Sequence, residues 1–157
     1  MKILWKETLG LWFFSFTKIR AIFYTRPRVI KVSNEECEIM IPLNRKTKNH
    51  LNSMYFGVLA IGADCAGGLI AMNAIRKSGK NISLAFKDFK ADFLKRPEAD
   101  VHFICKEGQK TLDQIAETVR TGERVNRVVN IIATTPSISG DEPVAKFELN
   151  LSLRASA

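Results

Sequence analysis

The chain has 157 residues, 46% of them hydrophobic, and a formal charge of +8. That suffices for one ordinary core, and no Pro-, Gly- or Ser-rich linker divides it, so residues 1–26 read as an N-terminal helix and 27–157 as a single domain. The basic excess would suit nucleic acid, an anionic membrane or a phosphorylated ligand, but the cations are scattered from Lys2 to Arg154 without an aromatic-interleaved cluster, which argues against nucleic acid.

Residues 1–24 are rich in Leu, Ile, Trp and Phe, yet the longest uncharged run, 8–17, is too short to cross a bilayer. An amphipathic helix ended by Pro27 is expected. Packing on the body of the domain or on a second subunit is favoured over a peripheral membrane contact through Trp5, Trp12, Phe13 and Phe16. Residues 28–33 and 37–43 read as two short strands joined by the polar Ser33-Asn34-Glu35-Glu36 turn.

A basic, polar loop over 44–52 then enters a helix that ends near Lys77-Ser78-Gly79. Asp64 is the only charge in its run from 54 to 75. At about 100° per residue, Gly57, Ala60, Asp64, Gly67 and Ala71 share one stripe, with Ala74 and Gly68 at its edges. Met54, Val58, Ile61, Cys65, Leu69 and Met72 collect opposite and are expected to face the core. A carboxylate leaving water among such small neighbours needs a partner or a task.

From Ile82 the apolar residues alternate through Leu84 and Phe86 and then resume out of phase at Phe89, Ala91 and Phe93, as in a long bulged strand. A strand follows over 101–105, then a helix over 111–121 carrying Leu112, Ile115, Ala116 and Val119, with Thr111 and Gln114 as a capping box and Gly122 at its end. Residues 125–134 form a strand, 136–143 are turn-rich, and the last strand alternates from Ala145 to Leu153. Hairpin-like neighbours around one long helix make this an α+β chain with a largely antiparallel sheet.

Cys37, Cys65 and Cys105 are an odd number without a close pair, the pattern of reduced thiols in a cytoplasmic protein. His50 and His102 sit at no metal-ligand spacing, so neither a metal nor a resident cofactor is expected.

A polar loop, a long helix bearing small residues and one acid, and a long curved strand together resemble the hot-dog fold of acyl-CoA thioesterases. Small thioesterases of the phenylacetate-degradation type carry Asn, five residues, His-Gly-Gly, and an acid nine residues past that His; Asn49, Tyr55-Phe56-Gly57 and Asp64 stand at those spacings here. Ser83 occupies approximately the place of a Ser or Thr that recurs early in their next strand. The segment Asn52-Ser53-Met54-Tyr55-Phe56-Gly57 looks closer still to a poorly characterised branch of thioesterase-like hot-dog proteins.

The resemblance implies a homodimer or tetramer acting on acyl-CoA or another acyl thioester, with coenzyme A entering only as part of the substrate. It implies Asp64 as base or nucleophile, N–H groups around Phe56 and Gly57 as oxyanion donors from the other subunit, and Asn49 and Ser83 as hydrogen-bonding residues. Tyr55 and Phe56 stand where the family has His-Gly and would flank the substrate. Lys95 and Arg96 are candidates for coenzyme A phosphates, with Arg45, Lys46, Lys48 and Arg127 equally suited by charge. A noncatalytic acyl-binding protein is the alternative.

Overall fold

The computed structural model describes residues 1–156. The N-terminal segment forms two helices, α1 (Trp5–Lys18) and α2 (Arg20–Thr25), rather than the single one expected. The chain breaks at Ile19, where φ is −138°, and α2 stops at Arg26 in a left-handed conformation, φ 53°. Three hydrogen bonds fasten α1 and Leu4 before it to Pro27 and the strand that follows. Leu4 N–H donates to Val29 O at 2.8 Å, Thr8 Oγ1 accepts from Val29 N–H at 2.9 Å, and Trp12 Nε1 donates to Pro27 O at 2.7 Å. These bonds turn Thr8 and Ser15 inward, fully buried, and leave Trp5, Leu9, Phe13 and Phe16 exposed.

The hairpin of β1 (Arg28–Val32) and β2 (Cys37–Ile41) forms as expected, its turn held by Ser33 Oγ accepting from Glu35 and Glu36 N–H. The long helix α3 spans Phe56–Ser78 and ends at Gly79, whose φ of 67° only glycine adopts readily, after Arg76 and Lys77 in the last turn. It is long and apolar enough to span a bilayer, yet it lies against the sheet as the core helix.

Its deepest side matches the expectation in part. Met54, Val58 and Cys65 are buried as expected, but Ile61 and Leu69 are half-buried and Met72 is exposed, while Leu59, Ala63, Ala66 and Ile70 are buried in addition. The sheet approaches where the helix is narrowest: a Cβ on Gly62 would stand 2.2 Å from the fully buried Phe103 ring, so glycine here lets that ring lie against the backbone. Part of the small-residue stripe is thereby covered, with Gly67 facing Ile131, Val129 and Phe86.

The remaining elements are β3 (Ile82–Phe93), β4 (Val101–Cys105), α4 (Gly108–Thr121), β5 (Val125–Thr134), the short α5 (Pro136–Ser139) and β6 (Pro143–Ala155). The expected bulge of β3 falls between Phe86 and Phe89. Helix α4 starts a turn earlier than expected, and Thr111 with Gln114 does not form a capping box. Thr111 Oγ1 donates to Glu107 O, while Gln114 Nε2 donates to Val125 O and Leu151 O. Those bonds set the buried face as Thr111, Gln114, Ile115 and Thr118, leaving Ala116 and Val119 exposed.

All six strands pair antiparallel in the order β1-β2-β4-β5-β6-β3, with α3 packed across the sheet from β2 to β3. This is the α+β hot-dog arrangement that the resemblance implied, with an added N-terminal helical segment.

Candidate active site

The loop before α3 is an ordered strap. Thr47 Oγ1 donates to Pro42 O at 2.6 Å, and Asn49 Oδ1 accepts from Leu51 N–H, Ser53 N–H and Ser53 Oγ. Asn52 takes a left-handed φ of 60°, a conformation its short amide side chain tolerates. Met54 N–H then donates to Pro97 O at 2.8 Å and Tyr55 N–H to Thr47 O at 2.9 Å, joining the strap to the segment after β3. Between them lies a cleft of about 490 Å³, walled by Asn49, His50, Tyr55, Phe56 and Leu59 on one side and by residues 93–97 on the other.

Helix α3 opens on this cleft without a capping side chain. Among the described residues, the N–H groups of Phe56 and Gly57 have no acceptor, whereas Val58 and Leu59 N–H both donate to Tyr55 O. Two free donors at the positive end of a 23-residue helix form a ready site for negative charge. Aromatic rings surround it. Tyr55 lies across Gly57, its ring 4.9 Å from that of Phe56, which meets Phe93 edge-on at 6.3 Å. Phe93 in turn meets the buried Phe147 at 6.3 Å, so the row runs from the cleft mouth into the core.

Asp64 lies two turns further along α3, about 12 Å by helix rise from Phe56, and does not line the cleft of its own chain. It is half-buried beside Gly68 and the Phe86 ring, and burial pushes its carboxyl above the usual carboxylate range. Among the described residues it accepts no hydrogen bond and pairs with no cation. The half-buried carboxylate is thus left to solvent or to a group from outside the chain.

The structure thus brings Asn49, Tyr55, Phe56, Lys95 and Arg96 together around one cleft, with Gly57 behind the Tyr55 ring. Lys95 Nζ pairs with Glu142 Oε1 at 2.5 Å on the exposed surface, and Arg96 is exposed. Ser83 stands apart. Its Oγ donates to Arg154 O at 3.3 Å, and the pleat of β3 turns it to the face opposite Ile82, Leu84 and Phe86. Arg127 pairs with Glu117 away from the cleft. His50, Phe93 and Leu94 are cleft residues that the motif did not single out; the adjacency of His50 to Asn49 is the one local signal for it.

Other chemistries have less support. Cys37, Cys65 and Cys105 are buried, and burial raises all three thiols, Cys105 to about 11, which keeps them protonated and poor nucleophiles. Among the described residues, no group of three His, Cys, Asp or Glu could hold a metal ion.

The family described as a domain of unknown function, DUF4442, matches residues 12–149. No curated protein sequence matches the chain. Solved structures share the fold at low identity. A Pseudomonas aeruginosa protein of unknown function, described as a probable thioesterase, aligns with a TM-score of 0.76 and 17% identity over 94% of this chain and 96% of its own. A Haemophilus influenzae thioesterase aligns at 0.64 and 13% identity over 90% and 87% of the two chains. A Chlorobaculum tepidum protein of unknown function aligns at 0.83 and 10% identity over 98% of each.

Proposed function

The chain belongs to the DUF4442 family, and from that membership, its hot-dog fold and the geometry of its site we propose that it hydrolyses acyl thioesters, with acyl-CoA as the substrate class. One observation carries the reading: Asp64 is a half-buried carboxylate that no group among the described residues hydrogen-bonds or pairs with. Such a group costs stability without a structural return, and a general base with a raised pKa is better matched to neutral pH than an ordinary carboxylate.

In the proposed reaction Asp64 takes a proton from water as its oxygen attacks the thioester carbonyl carbon. The carbonyl oxygen becomes an oxyanion facing Phe56 and Gly57 N–H, and collapse expels the thiolate. The roughly 12 Å between acid and donors along one helix exceeds any direct contact with a single carbonyl. We therefore place Asp64 of one subunit against the cleft of another in a homodimer. The free edge of β3, the outermost and longest accessible strand margin beside the cleft, is a suitable place for pairing. Phe56 and Phe93 would hold the acyl group, and Lys95 and Arg96 would meet the coenzyme A phosphates. Asn49, whose Oδ1 is already engaged by the strap, would hold the cleft wall in shape. Ser83 receives no role, because it faces away from the Asp64 side of β3. Three free buried thiols favour a cytoplasmic setting.

Free-thiol release from a panel of short, long and aryl acyl-CoA substrates tests the proposal. Turnover of at least one class is expected. A second reading, a noncatalytic acyl-binding protein, draws on Phe56, which is 61% exposed at the cleft mouth and stands where the resembled phenylacetate-degradation-type thioesterases have glycine. Retention of acyl ligands without thiol release from any substrate would favour it.

A further inference from the structure

The outward face of α1 is apolar while its inward face is partly polar, the reverse of an ordinary surface helix. Trp5, Leu9, Phe13 and Phe16 follow one another at helical spacing and are 52%, 57%, 74% and 49% exposed, and Ile19 and Tyr24 extend the patch at 44% and 57%. Thr8 and Ser15, fully buried, face the body of the domain. Nothing among the described residues covers these large aromatic groups on the solvent side, and a patch of this kind marks a contact surface.

The charges around the patch suit one kind of partner. Lys2, Lys6, Lys18, Arg20 and Arg26 stand in the first 26 residues against one acid, Glu7. Several cations lie over the rings themselves: the Arg20 guanidinium is 5.4 Å from the Phe16 centroid, Arg26 is 5.0 Å from Trp12 and 3.9 Å from Phe23, and Lys46 Nζ is 5.4 Å from Tyr24. Exposed aromatic rings ringed by Lys and Arg suit the boundary between lipid headgroups and acyl chains, where the rings enter and the cations stay with anionic headgroups. We propose that α1 and α2 dock this protein on an anionic phospholipid surface.

A second copy of the chain is a poorer occupant. Two such faces packed isologously would set the same cations against one another with one acid per chain to offset them. A dimer formed through β3 would also leave the patch free, because α1 is fastened to β1 at the opposite end of the strand order. Docking would bring the thioester cleft near the surface, since Lys46, over the Tyr24 ring, belongs to the strap that carries Asn49 and His50.

Flotation of the full chain with vesicles of equimolar phosphatidylglycerol and phosphatidylcholine, against phosphatidylcholine alone, tests it. Trp5 and Trp12 are the only tryptophans, so intrinsic fluorescence reports on α1 alone. Binding to the anionic vesicles with a blue-shifted emission is expected, weakened by salt. The double variant Phe13→Ser with Phe16→Ser should lower the bound fraction at least about tenfold while leaving thermal unfolding unchanged. Lys6→Glu with Arg20→Glu should do the same, by about fivefold or more per charge. Folded wild type that ignores anionic vesicles would overturn the proposal. So would variants that bind like wild type, or a phenylalanine pair whose replacement splits an oligomer without affecting lipid binding.

Discussion

Asp64 and Gly68 stand one turn apart on α3, with Asp64 Oδ1 3.9 Å from the point that a Cβ on Gly68 would occupy. Phe86 Cε2 lies at the same distance, and among the described residues no other side chain away from its chain neighbours comes within 4 Å. Gly68→Ala therefore fits without displacement. It should raise Tm by about 2 to 4 °C, because alanine is favoured over glycine in a helix by up to about 1 kcal/mol. The added methyl stands beside the carboxylate, so thioester turnover should fall while stability rises. Unchanged turnover would show that reacting groups do not approach Asp64 from the Gly68 side.

Gly62 and Gly108 are expected to behave in the opposite way. A Cβ at Gly62 would stand 2.2 Å from the buried Phe103 ring, and one at Gly108 would stand 1.9 Å from Asn34 O. Gly62→Ala should cost about 1 to 3 kcal/mol, measured by urea unfolding, and Phe103→Leu in the same chain should recover part of it. Gly108→Ala meets backbone rather than a side chain, so no second substitution should rescue it.

Phe56 separates stability from binding. The residue is 61% exposed, so Phe56→Ala should leave Tm nearly unchanged. Loss of an acyl contact worth about 1 kcal/mol should raise KM about fivefold with a smaller effect on kcat. A rise in kcat instead would mean that the ring obstructs the oxyanion donors.

The raised carboxyl of Asp64 has opposite consequences for folding and for activity. The native state holds this proton more tightly than the unfolded chain does, so its effect favours folding most in acid. That stability is lost as pH rises from the ordinary aspartate value through the higher native one. Turnover needs the deprotonated base and should rise over the same interval. Thermal unfolding and kcat/KM, measured against pH for wild type and Asp64→Asn, should show both slopes in the first protein and neither in the second.

Much of the fold was legible from the chain because it rests on local rules. The phase slip between Phe86 and Phe89 marked the bulge, Gly79 and Gly122 marked helix ends, and period-2 alternation marked the last strand. The start of α4 was not legible, since Glu107 provides no side-chain cap and Gly108 is set by its contact with the Asn34-Glu35 turn. The inverted faces of α1 depend on Val29 N–H reaching Thr8, a bond between residues 21 positions apart. In the candidate site, the resemblance singled out Asn49, Tyr55, Phe56 and Asp64 and, for the opposing wall, Lys95 and Arg96, but Phe93 and Leu94 of that wall, at the end of β3 and just after it, are placed there by tertiary packing alone.

The most direct measurement is Asp64→Asn, an isosteric change, read for kcat/KM on the best acyl-CoA and for Tm in parallel. With a carboxylate that serves chemistry and burdens folding, turnover should drop at least about 100-fold while Tm at neutral pH rises. Undiminished turnover, or lost turnover accompanied by a lowered Tm, would contradict the assignment of Asp64 as the base.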